Sequence, residues 1–199
     1  MMKLRQIVGL FVVLILMGAG TGCGSKGESI SQKVVEDFNH GESGITFPGV
    51  LGTFKRGPLV DSEFPTADYT AHLAGEEVQL TLSIRKNPDY TPELFKAAQD
   101  AMGTSEALSQ RFESMKESII ASGTDDEFRY IAAYDVSLVR DEKPYWGKRA
   151  FFRIEDGAFA DAYIYEYGAW FVEYTAYFHR DLEHLAVQFI ADHTWKAQP

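Results

Sequence analysis

The chain has 199 residues, 45% of them hydrophobic and 24% charged, with 29 acidic against 19 basic side chains and a formal net charge of −10. So acidic a body does not collect phosphate backbones and is not drawn to anionic lipid, which argues against nucleic-acid binding. A single cysteine excludes an internal disulfide, so stability must come from packing.

The N-terminus reads as an export signal. Lys3 and Arg5 precede an apolar run from Ile7 to Met17, which has the length of a signal-peptide core and is too short to span a bilayer. Small residues follow from Gly18 to Gly22, and then the sole cysteine, Cys23. The glycines suit neither G-x-G-x-x-G nor a P-loop, since Cys23 and the order Ser25-Lys26-Gly27 stand where those loops need Gly and Gly-Lys-Ser/Thr. Thr21-Gly22-Cys23 resembles the end of a bacterial lipobox, with Gly20 where that family usually carries leucine. The resemblance implies a lipoprotein precursor: residues 1–22 are removed and Cys23 carries a diacylglyceryl thioether and often a further, amide-linked chain. The competing reading is an ordinary secretory signal that leaves Cys23 a free thiol. Two or more acyl chains give stable attachment where one is marginal. Gly24, rather than aspartate, after the cysteine implies outer-membrane delivery where there are two membranes, and otherwise the outer face of the cell membrane.

Residues 23–44 read as the lipidated cysteine and a Gly/Ser/Glu-rich tether, with a helical hint only around Val34, Val35 and Phe38. As a flexible coil it would reach about 25 Å. Residues 45–199 suit one domain.

Within that domain, Leu51 to Asp61 and Tyr69 to Leu73 read as strands. Val78, Leu80, Leu82 and Ile84 alternate with polar residues in a third, after a turn at Gly75-Glu76. Beyond Thr91-Pro92 the period lengthens: Leu94, Ala97, Ala98, Ala101, Leu108, Phe112, Met115 and Ile119 predict one long amphipathic helix, or two broken near Gly103. Strands follow at Phe128 to Val139, Trp146 to Ile154, Phe159 to Tyr167 and Trp170 to Phe178, and then a helix from Asp181. Gly168-Ala169 suits a type II′ hairpin. That register gathers Tyr163, Tyr165, Tyr167, Trp170, Val172, Tyr174 and Phe178 on one face and leaves a mixed face with Glu166 and Glu173. Apolar groups on both faces predict helices on both sides, an α+β layered sandwich with a mainly antiparallel sheet, one long central amphipathic helix and a C-terminal helix. The order of elements over residues 50–199 resembles the PsbP-like α/β/α sandwich, which implies a non-catalytic accessory or assembly role and transfers no functional residue.

No cofactor or metal fingerprint is present. The five histidines show no ligand spacing, and Gly41-Glu42-Ser43-Gly44 lacks the spacing of a nucleophile elbow. Two features carry possible function. Tyr145 and Trp146, after the turn residue Pro144, are a candidate contact for an envelope protein partner. Glu166 and Glu173 fall about 7 to 8 Å apart as diagonal neighbours, within range of paired carboxylates that cleave glycosidic bonds. The expectation is therefore a lipid-anchored envelope protein of binding or assembly type, its ligand unidentified, with a glycan hydrolase as the alternative.

Overall fold

The computed structural model describes residues 35–122, 128–140, 142–154 and 157–195. Cys23, the leader and most of the tether lie outside them. Two short strands, β1 (Phe38–Asn39) and β2 (Thr46–Phe47), pair with each other. The remaining strands are β3 (Val50–Leu51), β4 (Phe54–Val60), β5 (Thr66–Leu73), β6 (Glu76–Lys86), β7 (Phe128–Arg140), β8 (Lys143–Ile154), β9 (Ala158–Tyr167) and β10 (Trp170–His179). They form one sheet in the order β3-β4-β5-β6-β10-β9-β8-β7, and every pair is antiparallel. The chain builds inward from one edge, leaves after β6 through α1 (Pro92–Asp100) and α2 (Glu106–Ser122), and re-enters at the opposite edge. β10 then closes the sheet against β6, from Trp170↔Lys86 to Tyr177↔Gln79. A 3-10 turn (Arg180–Leu182) and α3 (Glu183–Asp192) finish the fold.

Helices cover both faces of this sheet, as the two-faced apolar pattern predicts. Leu108, Phe112, Met115 and Ile119 recur along one stripe of α2 and are all buried. They pack on Ala150, Ala160, Ala162, Ile164 and Phe171, where the small alanines let the helix approach the sheet. On the other face Ala186, Phe189 and Ile190 of α3 press onto the larger cluster of Tyr69, Leu80, Leu82, Tyr165 and Tyr174. Phe189 lies 4.7 Å from Tyr69 and 5.1 Å from Phe54, ring centre to ring centre. Gly147 is required here, because a Cβ at that position would fall 2.3 Å from the Ile164 carbonyl and 2.6 Å from the Tyr165 ring.

Of the two expected forms of the long helix, the structure has the one broken near Gly103, with α1 and α2 separate, and two other local features differ from the sequence expectation for physical causes. Met102 turns left-handed (φ 51°), and Ser105 caps α2 by accepting from the Leu108 N–H at 3.0 Å. The first expected strand is a hairpin, β3 and β4, folded at Gly52 (φ 59°). Ordered chain also reaches back beyond Ile45: Asp37 accepts from the Gly49 N–H at 2.8 Å, and Arg56 donates to the carbonyls of Phe47 and Glu36.

Candidate functional site

The β9–β10 register pairs Phe171 with Glu166 and Ile164 with Glu173, which puts the two carboxylates on one face as diagonal neighbours, as expected. That face lies under α2 and is not wet: Glu166 is 3% exposed and Glu173 4%. Glu173 accepts a bidentate pair from Arg111 of α2, at 2.6 Å from Nε and 2.9 Å from Nη2. It also accepts from Arg85 Nε at 3.3 Å and from the Ser83 hydroxyl at 3.4 Å. Such a forked, charge-assisted contact offsets the cost of burying the carboxylate and fastens the helix to the sheet.

Among the described residues Glu166 has no cation against it. The Asn87 amide donates to it at 2.8 Å, and the Ser105 hydroxyl donates as well. Burial raises its pKa, against those two hydrogen bonds. It borders a cavity of about 360 Å³ roofed by α1, with Tyr90, Leu94, Phe95 and Gln110 in its wall. Cleavage of a glycosidic bond needs a protonated acid and a second carboxylate free to act as base or nucleophile. The upward shift that burial gives Glu166 is in the direction of the first. The oxygens of Glu173 are occupied by arginine.

Tyr145 and Trp146 are consecutive in β8 and so point to opposite faces. Tyr145 joins the larger core cluster, 5.4 Å from both Tyr167 and Trp195. Trp146, also half-buried, lies opposite Ser137 and has its indole N–H buried without a hydrogen-bond acceptor among the described residues. The two rings therefore do not share a surface.

The tyrosine-rich face of the β9–β10 hairpin is core, with Tyr163, Tyr165, Tyr167, Trp170 and Tyr174 all buried. It is closed by a network that sequence reasoning missed. Tyr174 donates to His193 Nδ1 at 2.6 Å, His193 Nε2 donates to the Thr46 carbonyl at 2.5 Å, and the Trp195 indole donates to the Tyr174 hydroxyl at 3.1 Å. Desolvation lowers the His193 pKa to about 4, so the imidazole is neutral at pH 7 and its tautomer is fixed by these partners.

A larger concavity, about 650 Å³, opens over β7, β8 and β9 near the start of α3. It joins Tyr134, Phe151 and Phe159 to Arg149, Arg153 and Arg180. Arg149, Phe151 and Arg153 alternate along β8 beside Phe159 of β9, whereas Tyr134 and Arg180 come from more distant segments, and no motif links the set. Among the described residues, no group of three or more His, Cys, Asp or Glu could hold a metal ion.

The structure thus defines an α+β protein, an antiparallel sheet sandwiched between helices, with two ligand-sized cavities. No protein-family model matches the chain, and no curated protein matches it in sequence. Among solved structures it is similar to the solution structure of cyanobacterial PsbP (CyanoP) from Synechocystis, with a TM-score of 0.49 and 11% identity, over 86% of this chain and 96% of that one.

Proposed function

We propose that the chain is a lipid-anchored cell-envelope protein whose globular domain serves as a binding or assembly accessory. The observation that carries this reading is the position of the sole cysteine, Cys23, directly after a charged n-region, an apolar core and a run of small residues. The fate of Glu173 supports a binding role over glycan hydrolysis, because Arg111 and Arg85 occupy the carboxylate that hydrolysis would need. The partner contact we propose is the Trp146 side of β8, where the half-buried ring lies on the face opposite the core residue Tyr145. Radiolabelled palmitate feeding and fractionation of cells that express the full chain test the anchor. Wild type takes up label and sediments with membranes, whereas Cys23→Ser takes up none and leaves the membrane fraction on cleavage or stays as the uncleaved precursor. Equal labelling of the two would overturn the proposal.

A further inference from the structure

The 650 Å³ concavity brings aromatic rings together with three arginines, two of which the fold does not otherwise engage among the described residues. Its floor is Phe151 and Phe159, diagonal neighbours on β8 and β9 whose rings lie 5.1 Å apart and 6° from parallel. Tyr134 and Ile131 rise beside them, 55% and 47% exposed.

Three guanidinium groups surround this floor. Arg149 is committed: it donates to Asp161 and to Glu183, each at 2.6 Å, and lies over the rings of Phe151 and Tyr163. Arg153 and Arg180 differ. Both are exposed, and among the described residues neither side chain has an ion pair, a hydrogen bond or a ring partner. Glu183 is the one carboxylate in the described lining, and Arg149 already holds it. In a chain with a ten-charge acidic excess, this lining runs against the overall balance.

A guanidinium fork matches carboxylate and phosphate oxygens, and stacked rings present a flat apolar bed. The volume lies within the range of small-molecule sites. We propose that this groove binds a small amphipathic organic anion, a carboxylate or phosphate ester on a flat apolar body, with Arg153 and Arg180 on the oxyanion and the Phe151–Phe159 pair under the body. This names the ligand class of the binding role proposed above and rests on that reading for its place in the cell. Lipidation at Cys23 and binding in the groove are measured separately, so either can fail alone.

The test is titration calorimetry of the full chain held in phosphatidylcholine nanodiscs, with 1-naphthyl phosphate, 1-naphthoate and uncharged 1-naphthamide as probes. Either anion saturates a single site, and naphthamide binds about tenfold more weakly or worse, as expected for loss of a charge-assisted contact. Arg153→Gln/Arg180→Gln, both at exposed positions, weakens the anions by about tenfold or more and leaves naphthamide and the melting temperature unchanged. If the double variant lacks a melting transition, Arg180→Gln alone carries the comparison. Absence of saturation, equal anion affinity in wild type and variant, or binding seen only when the nanodiscs contain phosphatidylglycerol would overturn the assignment.

Discussion

The Tyr174 hydroxyl donates to His193 Nδ1 at 2.6 Å, and the opposite ring nitrogen donates to the Thr46 carbonyl. One imidazole therefore joins the last helix, the central strand β10 and the N-terminal strand β2. The isolated bridge between Ile45 and Trp195 lies beside it. The termini of the described domain are held together by buried polar bonds within an aromatic core.

The first prediction concerns acid stability. The His193 pKa falls from 6.5 to about 4 on folding, because burial disfavours the imidazolium. Below pH 6.5 the unfolded chain takes up a proton that the native chain refuses, so this stabilisation is complete above pH 6.5 and is lost as pH falls towards 4. The loss amounts to about 3 kcal/mol. Urea unfolding of wild type and His193→Gln at pH 7.5 and pH 4.5 checks it. The difference between the two proteins narrows at the lower pH, and a pH-independent difference contradicts the assignment.

A second prediction follows from the clamp on Glu173. Glu173→Gln leaves Arg111 and Arg85 facing a neutral group beneath α2 and costs about 3 kcal/mol. Adding Arg111→Met to that variant restores part of the loss, since the unpaired cation is then gone. Chemical denaturation of the four members of the cycle measures the coupling. A single-variant cost below about 1 kcal/mol, the range of an exposed ion pair, would mean that the bridge does not hold the helix.

Glu166 behaves in the opposite sense. Its carboxyl pKa is raised by burial, so the native state retains a proton that the unfolded chain releases, and stability declines as pH rises above the ordinary carboxylate value. Glu166→Gln keeps an acceptor for Asn87 and Ser105 without the buried charge. It therefore raises the melting temperature more at pH 8 than at pH 4.5. Scanning calorimetry at both values decides, and a variant that is less stable at pH 8 would show that the ionised carboxylate is well accommodated.

Much of this architecture was legible because local periods agree with global burial. The alternation from Val78 to Ile84 became the inward face of β6, and the spacing of Leu108, Phe112, Met115 and Ile119 became the buried stripe of α2. The Gly168-Ala169 turn set the β9–β10 register, and with it the shared face of Glu166 and Glu173. What the pattern could not show is what lies on top of a face. Whether those carboxylates meet water or Arg111 depends on the path of α2, a contact between residues 62 apart. The break between α1 and α2 was legible as a possibility near Gly103, but the residue that turns left-handed is Met102, a non-glycine that the pattern does not mark. His193 looks like one more polar residue until β10 and β2 surround it. The groove was illegible for a similar reason: Arg153 ends β8 and Arg180 follows β10, and only the closed sheet brings them to one concavity.

The most direct test of the anchored-module account is mass spectrometry of the N-terminal peptide of the protein extracted from its native membranes. The account predicts a chain that begins at Cys23, with its sulfur carrying a diacylglyceryl group. A bare thiol at Cys23, or a peptide that still contains Lys3 and Arg5, would contradict it.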